Sequence, residues 1–213
     1  LRNTFTDNLY GIYLKNCTGY QIEENNFSSV FNFAYGLAIY NQWSNTNTNQ
    51  FRNNTFTNLT AASVLMGQNR GTTLAQGLKV KCNDHVNNEY DASATVAPGI
   101  SAQQGGSQNI TSPAGNTFDS CFVADGEMYN LGGHIDYYQH KSPITKLKAG
   151  CFTPGIVDTS TTSFDFTKSI ACPLIDFTEP GCGGIDTISI YEEMKGVIAE
   201  NESQASALQT QFN

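Results

Sequence analysis

Positive charge is what this chain has least of: 11 Lys and Arg among 213 residues, against 19 Asp and Glu, for a formal net charge of −8. A surface that tracks phosphates needs clustered cations, and the densest group here is three lysines between Lys141 and Lys148. Nucleic acid and anionic membrane surfaces are therefore not expected partners. No apolar run approaches the ~18 residues of a spanning helix. No CxxC or paired Cys/His spacing suggests structural zinc, and no signal-peptide pattern is present. The sequence opens at Leu1 inside a repeat and closes at Asn213 within a helical pattern. It is expected to be part of a longer chain.

Asn, Thr, Ser, Gln and Gly take the place of the missing charge, since only 14% of residues are charged and 39% hydrophobic. Short hydrogen-bonding side chains suit turns and polar ladders in β-rich extracellular proteins. The 10 Tyr and 13 Phe, at regular positions, argue against disorder. Six cysteines allow fifteen full pairings. Cys172 with Cys182, or Cys121 with Cys151, would suit an exported protein. Cys17 and Cys82, inside repeat strands, read as buried thiols.

What is present is a repeat. Phe51-Arg-Asn-Asn-Thr-Phe56 has counterparts at Ile22–Phe27 and Val80–His85, with shorter copies at Asn3-Thr-Phe5 and Asn116-Thr-Phe118. Asn3, Asn25, Asn54, Asn83 and Asn116 thus recur at intervals of 22, 29, 29 and 33 residues. Periods in this range mark a solenoid, whose units bury their apolar faces by stacking. Each unit adds a second strand of period two: Gly11–Leu14, Gly36–Ile39 and Ser63–Met66. Stacking would align Phe5, Phe27, Phe56 and Phe118 as an interior column, with His85 breaking the series. The Asn residues would form an interior ladder at a bend. This gives an all-β parallel solenoid over 1–118, an irregular, disulfide-containing β continuation over 119–184 and a helical tail over 185–213. In that tail Ile188, Tyr191, Met194 and Ile198 fall at helical spacing.

The segments GIYLKNC, IEENNF, FRNNTF and GLKVKCN, with NNEYD at 87–91, resemble right-handed parallel β-helix repeat proteins. More narrowly, the ordered series from Gly77 to Phe118 is similar to the large surface proteins exported by the type IX secretion system. That series includes Gly99-Ile100, Gln104-Gly105 and Ala114 to Phe118. The resemblance implies a secreted or outer-membrane-exterior location and a longer parent with a C-terminal sorting domain. It brings no catalytic residues and no cofactor.

Chemistry-bearing clusters are few. Lys79 and Lys81 share one strand face, and with Asp84 and His85 they form the best local set for a uronate-processing enzyme. Such an enzyme needs a cation to neutralise the carboxylate and a base for the α-proton. Solvated lysines and an interior His85 are the competing reading. His134, Asp136 and His140 share one face of an unbroken strand and would suit a divalent metal; an aromatic strand and turn around Tyr137 and Tyr138 compete. Tyr10, Tyr13, Tyr35, Tyr40 and Trp43 gather in the first two coils, with Tyr13 outward, as a sugar-stacking or packing surface. Arg52 and the loops beside it are the parts of the repeat expected to meet a partner. The expectation is a non-catalytic structural or adhesive segment that contacts glycans or other surface proteins. A carbohydrate-active β-helix enzyme is the alternative, and a cargo segment bound by a secretion machine a further one.

Overall fold

In a computed structural model the chain is described over residues 2–30, 34–41, 48–74, 76–95, 99–119 and 121–174. The helical pattern of 185–213, Cys182 and Trp43 lie outside the described residues. Within them the chain is a β-solenoid, each coil contributing strands to three stacked parallel faces. The first face carries β1 (Thr4–Thr6), β4 (Asn26–Ser28), β7 (Thr55–Thr57), β10 (Asp84–Val86) and β13 (Thr117–Phe118). The second carries β2 (Tyr10–Lys15), β5 (Tyr35–Asn41), β8 (Ala61–Gly67), β11 (Tyr90–Ala94) and β14 (Met128–Asn130). The third carries β3 (Gln21–Glu23), β6 (Thr48–Arg52) and β9 (Gly77–Lys81), followed by β12 (Gln103–Gln104), β15 (Ile135–Gln139) and β16 (Val157–Thr161) as a second three-stranded group. Among the described residues no helix is long and apolar enough to cross a membrane.

The register is the sequence repeat made physical: Phe5 pairs with Phe27, Phe27 with Phe56, Phe56 with His85 and His85 with Phe118. Their rings stack 4.9, 5.0, 5.4 and 5.3 Å apart with interplanar angles of 12° or less. That spacing follows from the strand separation of roughly 4.8 Å. His85 therefore continues the column instead of breaking it, because a flat imidazole satisfies the same stacking distance.

The column constrains the second face. A Cβ on Gly11 would stand 2.6 Å from the Phe27 ring, and one on Gly36 2.7 Å from the Phe56 ring. Glycine is required there by close approach. In the next coil Ala62 holds the place of Gly36, and the ring of the following coil is the smaller His85.

The Asn residues bond in series. The Nδ2 groups of Asn3, Asn25, Asn54 and Asn83 each donate to the Oδ1 of the next, all at 3.1 Å. Each accepting Oδ1 also takes the backbone N–H of the preceding rung, and the Nδ2 of Asn54, Asn83 and Asn116 gives its second hydrogen to the carbonyl of Ile22, Phe51 and Val80. Donors and acceptors are consumed without water, as burial demands. The residue before each of the last four rungs is the corner itself: Glu24, Asn53, Cys82 and Gly115 have φ of 56°, 53°, 60° and 68°. Glycine takes that conformation freely and asparagine tolerates it, whereas Glu24 and Cys82 bear roughly 1–2 kcal/mol each. The backbone N–H groups of Glu24, Asn53 and Cys82 still bond to the carbonyls of Arg52, Lys81 and Ala114 one coil on. Periodicity alone merges β3 with β4 into one strand. The left-handed corner separates them and gives each coil three faces.

Beyond Phe118 the sequence repeat fades but the coils do not, since β14 and β15 extend two faces. The last strand described in this region is β16, paired in parallel with β15. The cysteine expectations are corrected in part. Cys121 bonds to Cys151, but Cys172 bonds to Cys82, and Cys17 is a free, exposed thiol. The Cys82–Cys172 bond holds a short helix α1 (Lys168–Ala171) over the ladder corner, with Ala171 and Phe166 packed on the sulfurs.

Candidate functional site

Strand β9 alternates as its sequence dictates, with Leu78 and Val80 inside and Lys79 and Lys81 outside. Beside it the chain does not add a full strand at once. Gln104 takes over instead: its Oε1 accepts from the Val80 N–H at 2.8 Å, and its Nε2 donates to the carbonyls of Leu78 and Ser101 at 3.0 Å. One buried amide thus pairs the edge of β9 and pins loop 99–115 against it. Gly105, at φ 79°, turns that loop back, and a Cβ there would meet Ala114 N at 2.4 Å.

The result is a groove of about 450 Å³ lined by Lys79, Lys81, Gln103, Gln108, Thr111 and Ser112, with Leu74 and two glycines. Lys81 donates from Nζ to the Thr111 carbonyl, so its charge is held at the wall. Burial holds the Lys79 ammonium below its ordinary range. Burial lowers Lys81 too, aided by the cations of Arg52 and Lys79. The lining is amide, hydroxyl and ammonium; none of its described residues is a carboxylate or an imidazole.

The set Lys79, Lys81, Asp84 and His85 is therefore not one site. A corner at Cys82 separates β9 from β10, and β10 turns Asp84 outward and His85 inward. Asp84 accepts from Thr117 Oγ1 at 2.7 Å and pairs with Lys168. His85 is buried in the ring column, where desolvation pushes its pKa down to about 3. Arg52 is not free either. Its guanidinium donates to the Pro173 carbonyl at 2.6 Å, joined by the Asn53 amide at 3.1 Å.

Along β15 the expected trio also separates. His134 and Asp136 are together, Nε2 to Oδ1 at 3.3 Å, but the strand ends at Gln139. His140 lies past that end, buried edge-on against Phe166. Asp158, from β16, takes its place 3.5 Å from His134 Nε2. Only strand pairing could have found it, because it stands 22 residues from Asp136 in the sequence.

Outside the second face, Tyr13 and Tyr10 are 52% and 45% exposed, with Tyr10 stacked on Tyr35 at 5.3 Å. The burial of three polar groups, Asp91, Glu127 and Tyr137, was not foreseen from the sequence. Desolvation pushes the Asp91 carboxyl well above the usual range, while Asn88 bonds to it at 3.0 Å. Glu127, raised for the same first reason, receives the Lys148 N–H at 2.6 Å and its ammonium at 3.2 Å.

No family model, curated protein or solved structure matches the chain.

Proposed function

We propose that this chain is a non-catalytic binding segment of a secreted or cell-surface protein, whose solenoid holds the Lys79–Lys81 groove rigid for an acidic polysaccharide. The observation that carries the reading is the groove's chemistry. Two cations on one strand face suit the carboxylates of a uronate chain, and Gln103, Gln108, Thr111 and Ser112 suit its hydroxyls. The strand-borne lysines project from one pleated face two residues apart, so their reach is fixed by the backbone. Two disulfides fit an oxidising compartment. The exposed Tyr10 and Tyr13 supply a second, aromatic contact surface for sugar rings. Export by a type IX secretion system is part of the proposal through the repeat resemblance.

The test is affinity electrophoresis and calorimetry with pectate and alginate, against a neutral glucan. Binding to the uronates that weakens with salt, and falls at least tenfold in Lys79→Met/Lys81→Met, supports the reading. Equal retardation by the neutral glucan, or unchanged binding in the double variant, overturns it. A lyase acting on the same polymers is the second reading, favoured by the lowered pKa of both lysines, which brings an amine nearer to serving as a base. Release of unsaturated uronates that stops in Lys81→Met would establish it.

A further inference from the structure

We infer that His134, Asp136 and Asp158 form a binding site for a first-row divalent cation of the zinc type, on the outer surface of the paired strands β15 and β16. The strands meet in parallel with Asp136 directly opposite Asp158. Both side chains project outward, where two like charges on register partners oppose pairing. His134, two residues before Asp136, falls on the same face by strand alternation. Its Nε2 faces both carboxylates, 3.3 Å from Asp136 Oδ1 and 3.5 Å from Asp158 Oδ2.

Those lengths carry the inference. Nitrogen and oxygen ligands held ~2.0–2.2 Å from a tetrahedral zinc stand about 3.3–3.6 Å from one another. Two edges of that tetrahedron are already in place. All three donor atoms lie within 4.8 Å of each other, so rotation of one carboxylate closes the third edge. One imidazole and two carboxylates also match the donor preference of this cation class. The partly exposed setting leaves the fourth position to water.

The ligand that bridges the pair is positioned independently of any metal. The Arg70 guanidinium donates to the carbonyls of Gly133 and His134 at 2.7 and 2.6 Å, crossing from a coil more than sixty residues earlier. Asn130 closes the same turn, its Nδ2 on the Gly133 carbonyl at 2.9 Å and its Oδ1 accepting from Gly132 N–H at 3.0 Å. Asp136 and Asp158 are held by the strand register itself. Both of these Arg70 bonds come from Nη2 and end on backbone carbonyls, not on the carboxylates. Bound metal would neutralise the cross-strand repulsion and fasten β16 to the coil before it.

The experiment uses the intact chain without a polyhistidine tag, stripped with chelator and titrated with zinc chloride by calorimetry, with cobalt(II) as a spectroscopic probe. The expected result is one zinc per chain and a visible cobalt spectrum of low coordination number. His134→Ala and Asp158→Asn should each weaken binding at least tenfold. Zinc should raise the melting temperature of the wild type and not that of Asp158→Asn. In chelator, Asp158→Asn should melt no lower than the wild type, since it removes a like-charge contact. The absence of stoichiometric binding overturns the inference. So does binding that survives both substitutions, as it would if the exposed Cys17 thiol held the metal.

Discussion

The carboxamide of Asn116, last rung of the ladder, donates to the phenolic oxygen of Tyr137 at 3.1 Å. Tyr137 is fully buried and comes from β15, so a residue of the third face terminates the ladder built along the corner between the third and first faces. Without it the final Nδ2 hydrogen would face an apolar interior. Tyr137→Phe should therefore cost about 1–3 kcal/mol, the penalty of one orphaned buried donor. Chemical denaturation with an unchanged m-value measures it. A loss below a few tenths would mean that the cap is idle.

An interior rung has more to lose. Asn54→Leu strips partners from the Asn25 amide, the Asn25 N–H, Asn83 Oδ1 and the Ile22 carbonyl at once. A destabilisation of about 3–5 kcal/mol is expected from several unpaired buried groups. It should appear as a clear drop in melting temperature.

Ala62 and His85 should be coupled, because the smaller ring coincides with the coil that has Ala in the place of Gly. His85→Phe alone is expected to overpack and cost about 1–3 kcal/mol. Ala62→Gly should recover much of that loss, which a double-mutant cycle reads directly. The same pair tests acid stability. Folded His85 has a pKa near 3, below its unfolded value of 6.5. The unfolded chain therefore takes up the proton first, and stability falls as pH drops from about 6.5 towards 3. Asp91 acts in the opposite sense, since its raised pKa favours the fold at low pH. Between pH 7 and 4.5 the His85→Phe/Ala62→Gly double variant should lose less stability than the wild type. Identical pH slopes would remove His85 from the acid response.

The amino-acid sequence determined the solenoid itself. Recurrence of Asn and an aromatic ring at near-constant intervals leaves stacking in register as the way to bury both, and the rings and amides then align coil on coil. It also separated Ile12 and Leu14 from Tyr13, because a strand alternates faces every residue. What the sequence could not reach depends on coordinates normal to the repeat. A left-handed Glu24 or Cys82 has no composition signal, so the third face and the split between Lys81 and His85 were hidden. Cys82 finds Cys172 across 90 residues because α1 folds back over the corner, a contact set by the path of an irregular segment. Asp158 joins His134 for the same reason: register between strands joined by an aperiodic loop is fixed only when the loop closes. Local alternation and period are properties of the chain, whereas convergence of side chains from different coils is decided by how the coils are stacked.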